Sequence, residues 1–529
     1  MHANLLLING RIITLAGRPC EGLAIIGDRI AADGTTADLL ALRGPRTRVV
    51  DLQGRCAVPG FTDSHVHLAA LASRLSEVKL ESAGSLAEAL RRVAQCAKSR
   101  PRGEWITGGG FDKNKWGDAF PTRHDLDRVA PHHPVSLRTR DGHSVWANSL
   151  ALRLCGIRRG SRSPSGGVVV TDGDGEPTGV LQETAIGLLH QCPDYRERTP
   201  AGATLVAAQR LLLRQGVTSI HVMEEADTLA ELQQSRTSGN LLLRTTVYRG
   251  LHHLDDLIAA GVTSGLGDEW LRIGGVKMLI DGSLGSQTAW MFLPYQNAPR
   301  AACGVATMSR AELRDAVERA ARAGIACAIH AIGDRANAEV LDALQSVSHM
   351  PTPLPHRVEH AQLLRPRDMA RFARMRVIAS MQPCHILGDI DMAERYWGKR
   401  SRHAYALRSL LARCATLAFG SDAPVETADP IKGVYAAVAR QTLEGRPAGG
   451  WYRREEGIGV IDAIRAYCLG PAVATGESHV KGQLAAGYLA DVAVLSEDVT
   501  KLRGRALLRA RADMTVVGGR VYYRRRGAW

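Results

Sequence analysis

"PGFTDSHVHL", residues 59–68, opens on a Pro-Gly turn, runs through a short stretch of mixed apolar and polar residues and ends with His65 and His67 two positions apart. On a strand, side chains at i and i+2 leave the same face, so both imidazoles can converge on one ion without any change of backbone direction. The spacing alone fits equally well two polar residues that close an ordinary strand. Other stretches decide between the two. "GVTSIHVM", "LLLRTTVYRG", "IGGVKMLIDG", "ACAIHAIGD", "HRVEHAQ", "VIASMQP" and "TLAFGSDAP" have a similar build, and with the first they number eight. Helix-period segments lie between them, which predicts repeated β-α units and a parallel sheet. In "SRAELRDAVERAARAG", Ser309 stands as an N-cap, Glu312 follows three residues later and Gly324 lies past the end. Eight such units predict a (β/α)8 TIM barrel whose strand ends face one mouth.

The rest of the chain is arranged around that barrel. A ninth strand-like run, "PVSLRTRDGH", falls between residues 68 and 201, among turn-rich and aromatic segments such as "GGGFDKNKWGDAFPTRHD". This interval reads as a subdomain inserted after the first strand and leaning over the barrel mouth, where loops set specificity. At the start ("ANLLLINGRIITLAG", "GLAIIGDRIAADG") and the finish ("GQLAAGYLADVAVLS", "ADMTVVGGRVYY"), alternation with Asn-Gly, Gly-Asp and Gly-Gly turns predicts β-hairpins. Neither end makes a buried-faced sheet alone, so both are expected to pair in one composite β-sandwich. The expected boundaries are 1–57 plus 479–529 for the sandwich, 58–73 plus 201–478 for the barrel and 74–200 for the insertion.

Composition narrows the function. The chain has 529 residues, 45% hydrophobic and 23% charged, and no apolar run approaches the ~18 residues of a membrane span. The opening "MHANLLLINGRIITLAG" has no basic leader and breaks its apolar run at Asn9, Gly10 and Arg11, so it reads as strand and turn. A cytoplasmic protein without membrane contact is expected. Ten cysteines without a CxxC pair argue against a zinc finger or a disulfide scaffold. The formal charge is +14, yet only nine of the 67 basic residues are lysines and the arginines are spread along the chain. Nucleic-acid binders cluster their charge on one face, so no nucleic-acid partner is expected.

His330, His360 and Asp422 each follow a short apolar run where a barrel strand should finish. With His65 and His67 they put five ligand-type residues on four strand ends around one mouth. Imidazoles with a carboxylate suit zinc and its neighbours and leave open positions. A divalent metal centre of one or two ions is expected, with zinc the expected element. Lys277 interrupts the apolar "GGVKMLI" in a lysine-poor chain. A buried ammonium needs a partner or loses its proton. Two readings stay open: a salt bridge to a neighbour such as Asp281, or a neutral amine that takes up carbon dioxide, giving a carbamylated lysine that bridges two ions.

"PGFTDSHVH", "PTRHDLDRVAPHHPVSLRTRDGHSVWANSLAL", "GVTSIH", "VKMLIDGSLGSQTA", "HAIGDRA", "RVEHAQ", "MQPCH", "FGSDAPVE" and "GYLADVAVL" resemble the amidohydrolase superfamily in its YtcJ-like branch, which includes N-substituted formamide deformylase. The resemblance covers nearly the whole chain. It implies a distorted (β/α)8 barrel with a composite β-sandwich, a divalent metal centre, and hydrolysis of a non-peptide C–N bond in a small-molecule substrate. It also implies that His65, His67, His330, His360 and Asp422 belong to the metal site and that Lys277 bridges. In the expected chemistry a metal-bound hydroxide attacks the carbonyl and Asp422 passes its proton to the departing nitrogen. His385 in "MQPCH" is expected to polarise the carbonyl or hold a product group. Trp116, Asp141 and His143, in the insertion, resemble family positions that orient substrate. A homodimer is compatible with this reading. The rival readings are a metal hydrolase of a lactone, ester or phosphoester, and a non-catalytic regulatory protein on the same fold.

Overall fold

The computed structural model describes residues 2–111, 116, 120–139, 144–164, 167–190, 192, 195, 202–224, 228–285, 287–296 and 303–528. All eight expected strands form: β1 (Phe61–Val66), β2 (Val217–Glu224), β3 (Arg244–Gly250), β4 (Leu271–Leu279), β5 (Cys327–Ala331), β6 (Arg357–His360), β7 (Ile378–Met381) and β8 (Leu417–Phe419). They pair in chain order and in parallel from β1 to β8. The sheet all but closes into a barrel. Between its first and last strands there is a single parallel bridge, Val66 with Ala423. Two backbone hydrogen bonds flank it, from Asp422 N–H to the His65 carbonyl (2.7 Å) and from His67 N–H to the Ala423 carbonyl (2.9 Å).

The connecting helices form for the reasons their sequences give. In Arg310–Arg322, Ser309 Oγ accepts from Glu312 N–H (3.2 Å) and the Glu312 carboxylate accepts from Ser309 N–H (2.8 Å), a complete capping box. Leu313, Ala316, Val317, Ala320 and Ala321 share its buried face. Gly324, at φ +68°, lets the chain leave in the left-handed region.

Both chain ends build the sandwich. One sheet has the order Arg29–Gly34, Gly22–Ile26, Leu5–Ile8, Arg48–Asp51; the other has Arg11–Ile12, Cys56–Pro59, Val492–Leu495, Ala512–Val517, Arg520–Arg524. Leu7, Leu23, Ile25 and Leu52 from the start of the chain pack with Val492, Val494, Met514 and Val516 from its end in one core. The strand Cys56–Pro59 runs directly into β1 through Gly60. A Cβ there would lie 2.2 Å from Thr218 Oγ1 of β2, so the crossing from sandwich to barrel requires glycine.

Charged clamps tie the beginnings of the barrel strands to the returning chain. Arg244, the first residue of β3, grips Asp491 with Nε (2.7 Å) and Nη2 (3.2 Å) in a buried bidentate pair. Near the start of β4, Arg272 Nη1 lies 3.1 Å from Glu477, whose carboxylate also accepts from Thr475 Oγ1 (2.6 Å) and Lys481 Nζ (2.7 Å).

Contacts divide the chain into two compact units, Met1–Ala69 with Leu205–Trp529, and Ala70–Thr204. Within the second unit a six-stranded sheet runs Gly167–Thr171, Pro177–Glu183, Ser144–Ala147, Val135–Thr139, Ile106–Phe111, Val78–Lys79. The ninth strand-like run thus belongs to this sheet and not to the barrel. Among the described residues no helix is long and apolar enough to cross a membrane.

Candidate metal centre

The C-terminal ends of β1, β5, β6 and β8 bring their histidines and aspartate together. His65 lies near the end of β1 and is 1% exposed; His67 follows the strand and is half-buried. His330 is in β5, His360 closes β6 and Asp422 comes three residues after β8. Ring centroids are 5.5 Å apart for His65 and His67, 5.0 Å for His65 and His360, and 4.5 Å for His330 and His360. Asp422 links them: Oδ1 lies 3.1 Å from His67 Nε2 and 3.5 Å from His65 Nε2, while Oδ2 lies 3.3 Å from His385 Nε2.

Two of these residues take a backbone conformation that favours glycine. His360 has φ +69° and Asp422 has φ +60°, and a non-glycine residue held there carries local strain, which clusters at functional sites. At His360 the geometric consequence is visible. Glu359 already faces the barrel interior, where its carboxylate meets His65 Nδ1 at 2.6 Å. A regular strand would send the next side chain to the opposite face; the left-handed turn brings His360 back to the same cluster.

The electrostatics suit ligation. Burial, then the nearby Lys277 ammonium, lowers His65 to about 4 and His330 to about 3, and burial with His330 holds His360 well below its ordinary value. These imidazoles are neutral at physiological pH, the form that binds metal. Burial would raise Asp422, but His385, His67, His65 and His360 hold it well below the usual carboxylate range. His385 behaves oppositely. Burial alone would lower it, yet the Asp422 carboxylate, with Asp389 and Glu426 behind it, pushes it up to about 9.

The ligand atoms of His65, His67 and Asp422 lie within 4.8 Å of one another, as do those of His360, His385 and Asp422. A nitrogen-rich donor set with one carboxylate, neutral imidazoles and converging lone pairs fits a divalent ion of the zinc type. His385 differs from the other imidazoles in that its Nε2 faces Asp422 Oδ2 at 3.3 Å, and that carboxylate favours its protonated form.

The other expected residues are placed as follows. Lys277 is 4% exposed in β4, and its charge acts on His65, His330 and His360. Asp281, the alternative partner for it, accepts the N–H groups of Trp290 (2.9 Å), Ile332 (3.0 Å) and Gly333 (2.8 Å) and stands 3.4 Å from His330 Nε2. Trp116 stacks on Phe111 with centroids 5.1 Å apart and donates from Nε1 to the Ala83 carbonyl at 3.0 Å, the contacts of a core residue in the second unit. Asp141 and His143 lie outside the described residues.

Sequence reading overlooked three buried residues. Glu359 holds His65, Arg357 forms an ion pair with Glu359, and Asp63 accepts Ser421 N–H at 2.8 Å and bonds its hydroxyl, fixing the loop before Asp422. Asp63 stands at i, i+2 from His65, and that spacing was the available signal; Glu359 stands immediately before His360, which on a regular strand points it the other way.

Comparison with known proteins agrees with the geometry. The profile of the amidohydrolase family matches residues 48–523. The protein LONG AFTER FAR-RED 3 of Arabidopsis thaliana is 33% identical over 93% of this chain and 87% of its own. YtcJ of Bacillus subtilis is 30% identical over 90% of this chain and 91% of its own. The N-substituted formamide deformylase of Arthrobacter pascens is 29% identical over 99% of both. Among solved structures, a metal-dependent hydrolase from Pyrococcus furiosus superposes with a TM-score of 0.78 at 30% identity, covering 94% of this chain and all of that one.

Proposed function

This chain belongs to the amidohydrolase family, and on that premise we propose that it is a metal-dependent enzyme that hydrolyses the C–N bond of an amide or N-substituted formamide. The observation that carries the reading is the position of Asp422, one oxygen at His67 and His65 and the other at His385. His65, His67, His330, His360 and Asp422 would hold the ion. Lys277, were its amine to take up carbon dioxide and exchange the positive charge felt by these imidazoles for a carbamate, would help hold a second, burial still keeping the imidazoles neutral. A divalent ion there, zinc by its donor set, would lower the pKa of a water toward neutrality and polarise the substrate carbonyl.

The chain's own groups do the rest. Asp422, ionised at all physiological pH values, accepts the proton of the attacking water and returns it to the departing nitrogen, which leaves poorly as an anion. His385, beside Asp422 at the edge of the cluster, is the group placed to stabilise the carbonyl oxygen where negative charge develops. The departing product is then an amine, and the acyl part leaves as a carboxylic acid.

The reading is supported by the formamide deformylase's likeness over almost the full length of both chains. It is tested by elemental analysis of the purified protein, followed by a panel of N-substituted formamides, larger amides, esters, lactones and phosphoesters. Bound divalent metal and turnover of the formamides or amides are expected. Turnover confined to the oxygen esters would refute the assignment of the bond.

A further inference from the structure

The interior of a (β/α)8 barrel is ordinarily filled by branched apolar side chains. Here one layer is charged: Arg357 and Glu359 of β6, both 0% exposed, lie among His221, Tyr248 and Ser380 of β2, β3 and β7. Arg357 Nε binds Glu359 Oε1. Its Nη2 reaches the Ser64 carbonyl (2.6 Å) and Ser380 Oγ (2.6 Å), and its Nη1 donates to His221 Nδ1 (2.9 Å). The guanidinium lies over the Tyr248 ring at 5.0 Å. Such a pair adds little stability, because desolvating two charges costs about as much as their attraction returns, and apolar substitutes are often neutral or stabilising.

What the layer delivers is one contact at its upper edge. Glu359 Oε2 meets His65 Nδ1 at 2.6 Å and also accepts from Ser380 Oγ at 2.6 Å. An ionised carboxylate only accepts. His65 must therefore carry its proton on Nδ1, which leaves Nε2, the atom facing Asp422, as a bare lone pair. We propose that Glu359 is a positioning residue for the metal centre, fixing the tautomer and ring orientation of His65, and that Arg357, Ser380 and His221 form a buried scaffold whose purpose is to hold that carboxylate. The proposal rests on the assignment of His65 as a metal ligand made above. Partners of this kind on ligating histidines contribute roughly 10- to 100-fold to metal affinity.

The test measures zinc affinity by competition with a chromogenic chelator, with no substrate present, alongside the thermal midpoint of the metal-free protein. Two variants are compared with the unaltered chain: Glu359→Gln, and the apolar pair Arg357→Met with Glu359→Leu. Both are expected to bind zinc roughly 10- to 100-fold more weakly, while the apolar pair melts at or above the temperature of the unaltered protein. Zinc affinity within about threefold of the unaltered chain in either folded variant would overturn the proposal, since a merely structural layer would change melting and not affinity. Should neither variant fold, nitrogen-15 spectra of histidine-labelled unaltered protein decide: a proton on His65 Nδ1 supports the assignment, and a proton on Nε2 with a bare Nδ1 overturns it. A chain that binds zinc in this manner yet cleaves no amide would refute the hydrolytic reading and leave Glu359 in its role.

Discussion

Replacing Glu477 with glutamine should remove a pH-dependent clamp from the end of the barrel opposite the metal centre. Burial alone would raise this carboxyl, but Lys481, Thr475 and Arg272 together bring it down to about 2 from an ordinary 4.5. A carboxyl depressed in the folded state stabilises fully above its unfolded pKa and loses that contribution as pH falls through its folded pKa. The window here runs from about pH 4.5 down to about 2. Each pKa unit corresponds to about 1.4 kcal/mol, so the shift is worth on the order of 3 kcal/mol at neutral pH. Urea unfolding of Glu477→Gln and the unaltered chain, followed by fluorescence at pH 7, 4 and 3, reads this directly. The variant should be weaker by about 3 kcal/mol at pH 7, and the gap should narrow once the pH drops below about 4. A deficit that stays constant from pH 7 to pH 3 would refute the reasoning, because lost packing does not titrate.

Three further outcomes are expected. Asp422→Asn should lower kcat by about 10²- to 10⁴-fold on whatever amide the panel identifies, with a much smaller loss of bound metal, as steady-state kinetics and elemental analysis on one preparation would reveal. Lys277→Met should reduce bound metal by one ion per chain if the lysine bridges a pair, and unchanged stoichiometry by mass spectrometry would remove it from the site. Gly60→Ala should destabilise by about 1–3 kcal/mol, because its Cβ would meet Thr218; thermal melting should show partial recovery when Thr218→Gly is added.

The barrel was readable because most of its strands centre on short apolar runs and the candidate ligands stand near the ends of such strands. Ser309, Glu312 and Gly324 likewise announced their helix, since capping is local chemistry. The inner side of the site was hidden for a physical reason. In "RVEH" the adjacency of Glu359 to His360 argued against a shared target, since neighbours on a strand face opposite ways, and the left-handed turn at His360 that lets both residues reach the cluster leaves no trace in composition. Lys277 was visible because it breaks an apolar run. The surroundings of Trp116 were not legible, because its partners Phe111 and Ala83 stand 5 and 33 residues away in the chain and only the fold brings them near.

The seam between the first and last strands has a consequence for how the molecule comes apart. Its backbone stitching among the described residues is the bridge from Val66 to Ala423 with two flanking amide bonds, which belong to His65, His67, Asp422 and their neighbour, and Asp63 adds side-chain bonds to Ser421. If the proposed ion is held by side chains from both edges, it would act as a rivet across the place where the cylinder is thinly sewn. Withdrawing it would make this junction the first to fray, so amide protons of Asp422 and His67 should exchange with solvent ahead of those at the seven regular strand pairings. A chelator would then act as a can opener, and loading and closing would be one event instead of two.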